Sequence, residues 1–365
     1  MLRALLLSGA ALLALGHDEY HRPRGEGAAA EVAARELEPE YWAAEAFEGI
    51  ARRLRDGANE RVADRVVMFL GDGLSVPTLA AARALRGQRQ GRSGEEEQLA
   101  YERFPVTGLA KTYCTDAQIA DSACSATAYL CGAKGNRGPS ASARACGAGT
   151  AAPPAPNITC TPSPPGRWPT AATSVGIVTT TRVTHASPAG AYAHTAARDW
   201  ESDADLLADC GHADPAARQA DIAMQLMNSY PGNNFKVILG GGRREFRPNT
   251  TIDEEGASGR RLDGRDLIEE WRARRAAAGV SHAYVWNRTE LLRAVEDPPE
   301  YLLGLFGASH MRYEAEARAA GADEPAGRDD GGGHRAFPRL ALLETIALSD
   351  AVERADALLP RDARS

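Results

Sequence analysis

No basic run stands out in this chain, and acidic residues outnumber basic ones, 49 to 42, for a formal net charge of −7. That balance excludes a general nucleic-acid binder. The apolar N-terminal core, Ala4 to Leu15, is too short to span a bilayer, which takes roughly 20 apolar residues. No internal repeat is found, so a solenoid is excluded. Gly135 to Pro169 and Ala319 to Gly333 lack periodicity and are crowded with small residues or glycine, which marks them as irregular. Histidine is sparse, with 8 in 365 residues.

What is there fits a globular protein, 44% hydrophobic and 25% charged, long enough for one large domain with a substantial core. Arg3, the apolar core behind it and the small residues Ala14-Leu15-Gly16 read as a signal peptide over 1–16, leaving 17–365 as a single domain. Three sequons, at Asn157, Asn249 and Asn287, agree with secretion as a glycoprotein. Six cysteines permit disulfides in that compartment but fix no pairing. Cys124 and Cys131 lie seven apart in one small-residue helix, where packing is the expected role. Cys114, Cys146, Cys160 and Cys210 are the bridge candidates.

Short apolar runs alternate with helical patterns. Strands are expected at Arg65–Leu70, Ser174–Thr181, Phe235–Leu239, Ala283–Trp286 and Leu302–Phe306. Helices are expected at Tyr41–Arg55, Thr78–Leu85, Ile222–Met227, Leu267–Arg275 and Thr289–Val295. Such alternation implies α/β architecture, a parallel sheet with helices on both faces. Ligands of open parallel sheets bind beyond the carboxyl ends of the strands. Asp72 follows the first expected strand, and His185 and Ser187 follow the second.

The chemistry centres on Ala120-Asp121-Ser122-Ala123-Cys124-Ser125-Ala126-Thr127-Ala128. A serine hydroxyl is a weak nucleophile until a base or a metal activates it. No histidine lies near Ser122 in sequence, so a metal is the natural activator. The glycines of Leu70-Gly71-Asp72-Gly73 let the backbone approach an ion closely, although a bare turn aspartate has the same pattern. Arg198 offers the planar fork that suits phosphate oxygens, against the plainer reading of an ion pair with Asp199.

Four segments in order resemble the alkaline phosphatase family in its animal form. They are Val66–Gly73, the Ser122 segment, Thr179–Gly190 and His194–Trp200. The likeness runs from about Arg65 to Tyr313, is weak over Arg137–Thr173, and resumes over Leu340–Ala355. It implies an alkaline-phosphatase-like parallel sheet that hydrolyses phosphate monoesters through a phosphoseryl intermediate on Ser122, with two zinc ions and one magnesium ion. Asp72 would bridge Zn2+ and Mg2+, His185 and Ser187 would belong to the Mg2+ site, and Arg198 would grip the phosphate. The resemblance implies a homodimer, and a secretory, extracellular or cell-surface location. No lipid-anchor signal is visible. It also implies one disulfide spanning the His185 region, but Ala220 stands where a cysteine is expected before Asp221-Ile222-Ala223.

Vertebrate members carry a calcium site near the equivalent of Leu305-Phe306. Here Gly307 and His310 replace its acidic ligands, so calcium is not expected and His310 reads as a surface histidine. The family's remaining zinc ligands, in a Val-Glu-Gly-Gly-Arg-Ile-Asp-His-Gly-His-His segment, a later Asp-His pair and a final histidine, are not readable. The expectation is a truncated member with an internal deletion, its sheet incomplete on the C-terminal side, and with little or no phosphatase activity. Two readings stay open: a phosphomonoesterase, or a secreted non-catalytic pseudoenzyme or fragment. A sulfatase reading fails for want of a Cys-x-Pro-x-Arg setting, and diesterases usually lack the Asp-Ser-Ala context.

Overall fold

The structure, a computed structural model, describes residues 38–55, 66–92, 94–137, 174–210 and 220–313. The expected signal segment, Asn157, Cys146, Cys160, His17, His21, His212, His334 and Leu340–Ile346 lie outside the described residues. The chain divides into two units, Met1–Val66 with Ser75–Thr107, and Val67–Leu74 with Gly108–Ser365.

The first unit holds α1 (Pro39–Arg55) and α2 (Val76–Gln88). α1 has the expected helical spacing, yet none of its residues is buried. α2 starts after an extended Ser75 with proline in its first turn, where a missing N–H costs nothing. Glu97 is buried and takes Arg86 at 3.1 Å and Arg92 as partners, which ties the loop after α2 back to the helix.

The second unit runs α3 (Ser122–Cys131), β1 (Gly176–Arg182), α4 (Ala186–Ala189), α5 (Asp203–Cys210), α6 (Ile222–Asn228), β2 (Val237–Gly241), α7 (Leu267–Ala277), β3 (His282–Val285), α8 (Arg288–Glu296) and β4 (Tyr301–Leu305). The strands pair in the order β1-β2-β4-β3, and every pairing is parallel. Strand alternation sends Ile238, Leu303 and Leu305 to one face, against Ile222 and Leu226 of α6 and Leu267, Ile268 and Trp271 of α7. Val237, Leu239 and Leu302 point to the other face, against Leu291 of α8 and Phe306. Both faces are therefore covered, as parallel sheets require.

One expected strand is absent. Val66 to Leu70 carries no strand, and all five side chains are exposed. Its β-branched and apolar residues fit a pleated surface, but a strand exists only with a ladder partner for its N–H and C=O groups. Among the described residues β1 pairs only with β2, so the run makes no ladder with the outer edge of β1.

The cysteine expectation is corrected as well. Cys124 is bonded to Cys114, with Cα atoms 5.8 Å apart, inside the range a disulfide bridges. The loop at Cys114 passes the first turn of α3, so position outweighs the small-residue packing that Cys124 shares with its helix. Cys131 and Cys210 are disulfide-bonded too. Of the sequons inside the described residues, Asn249 is exposed, whereas Asn287 caps α8 by accepting from Glu290 N at 2.9 Å.

Buried charge pins the loops around this sheet. Arg261 is fully buried, and its fork meets both Asp221 oxygens at 3.1 and 3.0 Å. Asp221 also caps α6 by accepting from Met224 N at 2.8 Å. Burial raises the Asp221 carboxyl above its ordinary value despite this partner. Replacing Asp221 with alanine strands a buried guanidinium and removes a cap. The expected loss is about 3–5 kcal/mol in a urea unfolding titration; a loss below about 1 kcal/mol would show that Asp263 and Asp203 neutralise Arg261 without Asp221.

Candidate active site

The site forms where three segments meet. Asp72 lies in an exposed turn whose Gly73 has φ +69°, a backbone conformation that favours glycine. Ser122 is the first residue of α3. The helix cap is Asp121, not Ser122: its Oδ1 accepts from Cys124 N at 3.1 Å. This leaves the Ser122 hydroxyl free to donate to Asp72, 2.9 Å from Oδ1 and 3.0 Å from Oδ2. Ser187 Oγ donates to the same carboxylate, 3.2 Å from Oδ2. The close approach of α3 to α4 depends on small residues, since a Cβ on Gly190 would lie 2.7 Å from that of Ala126.

Arg198 faces the same place from the loop before α5. Its Nη1 donates to Asp121 Oδ2 at 3.0 Å, and its Nη2 lies 3.2 Å from His185 Nε2. Asp199, the alternative partner, is 3.9 Å away and mostly exposed. A guanidinium only donates, so His185 Nε2 accepts and the ring proton sits on Nδ1. That Nδ1 is buried and has no partner. Burial, and then the Arg198 charge, holds the His185 imidazole below its ordinary pKa.

The structure thus brings together all five expected residues: Asp72, Ser122, His185, Ser187 and Arg198. It adds others. Tyr129, on the exposed side of α3, hydrogen-bonds Ser187, and its phenol is pushed up to about 12 by burial, against the Ser187 bond, with the Asp72 charge adding to the rise. Asp121 fixes Arg198 as well as the helix, a role readable from the Asp-Ser pair. His310 is not a plain surface histidine: it is half-buried, its ring 5.0 Å from that of His185, and Nδ1 accepts from Arg182 N at 3.2 Å. It lies 125 residues from His185 in sequence, so no local spacing reveals it.

Buried Glu201 receives the Arg182 fork at 2.8 and 2.6 Å, and the Thr184 hydroxyl at 2.6 Å. Burial alone would raise its carboxyl, but these partners prevail and hold it below its ordinary value. The network anchors the end of β1, from which His185 follows.

The donor set distinguishes the metals. Asp72 and Ser187 offer hard oxygens and His185 an imidazole, which suit Mg2+ bound partly through water. Zinc needs three or four N, S or O donors together. Among the described residues the one such cluster is Cys114, Asp121 and Cys124, and its sulfurs form a disulfide. The described residues fit Mg2+ and do not make a zinc set.

With the site defined, comparison with known proteins assigns the family. A family model described as alkaline phosphatase matches residues 63–326. The chain is 46% identical to the membrane-bound alkaline phosphatase of Bombyx mori, covering 96% of this chain and 68% of that protein. It is 40% identical to the tissue-nonspecific isozyme of Gallus gallus, covering 92% of this chain and 68% of that one. Among solved structures, alkaline phosphatase of Thermus thermophilus is similar at 25% identity and a TM-score of 0.46, covering 78% of this chain and 46% of that one. The chain belongs to the alkaline phosphatase family. It spans about two thirds of these curated relatives and under half of that solved chain. No helix among the described residues is long and apolar enough to cross a membrane.

The depressed histidines carry a pH consequence. His185, His194 and His310 are all lowered by burial, His310 to about 4. The fold keeps them neutral while the unfolded chain takes up protons below about 6.5, so stability present at neutral pH is lost as pH falls from about 6.5 to about 4. Thermal midpoints of metal-free protein are expected to drop through this window; a midpoint independent of pH from 7 to 4.5 would contradict it.

Proposed function

We propose that this chain carries the nucleophile and phosphate-binding part of a phosphomonoesterase centre. The observation that carries the reading is Ser122 at the head of α3, 2.9 Å from Asp72, with Arg198 tied to the cap of the same helix. Ser122 Oγ attacks the phosphorus of a phosphate monoester in line with the departing oxygen. The Oγ–P bond forms, the ester P–O bond breaks, the serine proton passes by way of Asp72 to solvent, and the alcohol leaves with a proton from solvent. Water then cleaves the phosphoseryl bond and releases inorganic phosphate.

Each residue has a task in this scheme. Asp72 accepts the Ser122 hydroxyl hydrogen and so aims a lone pair outward. Arg198 engages Asp121 through Nη1 and His185 through Nη2, and the second hydrogen on each of these nitrogens would reach two phosphate oxygens. Asp72, Ser187 and His185 would hold Mg2+, which when bound neutralises charge around the phosphate. Asp72 is the described residue that would also meet Zn2+. The disulfide at Cys114–Cys124 supports a secretory, extracellular or cell-surface setting, with exposed Asn249 as a glycan acceptor. A homodimer follows from the family alone.

A second reading, a secreted non-catalytic protein that binds phosphate esters, is favoured by the missing zinc set among the described residues. Hydrolysis of p-nitrophenyl phosphate, metal content and phosphoserine formation on one purified sample separate the two. Under the first reading turnover is Ser122-dependent, and Ser122→Ala lowers it on the order of 10³-fold or more. Turnover that survives Ser122→Ala removes the phosphoseryl route. Phosphate binding without turnover or phosphoserine selects the second reading.

A further inference from the structure

The segment after β4 is held against the ends of two other strands. Gly242 N donates to Gly307 O at 3.0 Å and to Ser309 O at 2.9 Å, and Met311 N donates to Thr180 O at 2.9 Å. Arg182 Nη1 reaches Ser309 Oγ at 3.3 Å. This approach needs glycine at 241, where a Cβ would lie 2.2 Å from Ser309 O. His310 is therefore presented by a pinned loop at the carboxyl edge of the sheet, the edge from which His185 also projects.

The two rings meet edge to face, with centroids 5.0 Å apart and planes at 78°. His310 Nδ1 already accepts from Arg182 N, so the ring is neutral with its hydrogen on Nε2. The His185 ring has one hydrogen bond, from Arg198, and its other nitrogen has no partner. With one polar contact, the orientation of the His185 ring depends on what packs against it, and His310 is a ring in contact. Arg198 in turn divides its fork between His185 and Asp121.

We propose that His310 is a positioning residue for phosphate binding: its ring holds that of His185, and His185 steadies the Arg198 fork that receives the phosphate. This rests on the phosphate-binding role of Arg198 in the proposed function. His310 touches no reacting atom. Its contribution passes through ring packing, whereas its bond to Arg182 N serves the loop.

The test is the affinity of the full chain for inorganic phosphate, by isothermal titration, with folding of each variant checked by circular dichroism. Binding is measured because it is required under both functional readings. His310→Ala and His310→Asn are expected to weaken phosphate about tenfold, the low end for outer partners of a site. His310→Phe keeps a ring and is expected to bind within about threefold of the wild type. Asparagine keeps an acceptor for Arg182 N without a ring, so a loop-stabilising role alone would leave His310→Asn intact and impair His310→Phe; that pattern overturns the proposal. Arg198→Ala is the control. Wild type that does not bind phosphate, or Arg198→Ala that binds equally well, removes the proposed function and this role with it. An Arg198→Ala loss accompanied by unchanged His310→Ala binding removes only the role of His310.

Discussion

Parallel pairing of β1 with β2 is the constraint on which the site depends. Parallel strands end on the same side of a sheet, so the loops after β1, β2 and β4 converge at one edge. Convergence alone does not give contact. Gly240 and Gly241 end β2 and Gly242 follows it; a Cβ would collide at Gly240 with Thr179 and Val183, at Gly241 with Ser309 O of the β4 loop, and at Gly242 with Arg182. The β4 loop can therefore lie against β2 and β1 at backbone distance. This is how residues from 182 to 310 come to share one patch, and why Arg182 serves several purposes: it pairs with β2, anchors Glu201, and donates its N–H to His310.

The second organising feature is the division of labour between adjacent residues in Asp121-Ser122. Asp121 satisfies the helix terminus and engages Arg198, which frees the serine hydroxyl for Asp72. A serine that capped its own helix would spend its oxygen on a backbone N–H. The Cys114–Cys124 disulfide closes a short loop onto this same helix turn, narrowing the freedom of the residues just before Ser122. Small residues then let α3 approach α4, setting Ser122 and Ser187 on one carboxylate.

Much of this was legible in the sequence because it is local. The four strands β1 to β4 and helices α6 to α8 follow periodicity and capping residues, and they fall within two residues of their expected bounds. The motif residues Asp72, Ser122, His185, Ser187 and Arg198 do gather in space. What was not legible depends on partners distant in sequence. Val66–Leu70 has every local property of a buried strand and no ladder. Cys124 looks like a packing residue until the loop at Cys114 is seen beside it. His310 looks like a replaced ligand on the surface until the glycines of β2 are seen to admit its loop.

The electrostatics of the site argue for a cation more directly than any single ligand does. In the proposed function Arg198 would attract a phosphate, while Asp72 would repel it from Ser122. At about 4 Å, repulsion between two unit charges is about 1 kcal/mol in water and about 4 kcal/mol near a protein surface, and a phosphate dianion doubles it. Arg198 does not offset this freely, because Asp121 already holds one side of its fork. A divalent ion on Asp72 would change the sign: the carboxylate would become part of a cationic patch, and the buried His185 Nδ1–H would find an acceptor in water there. Under the proposed function, the Asp72 charge is thus a problem that a cation held by Asp72, Ser187 and His185 would solve, and that cation and Arg198 together would draw the substrate toward Ser122.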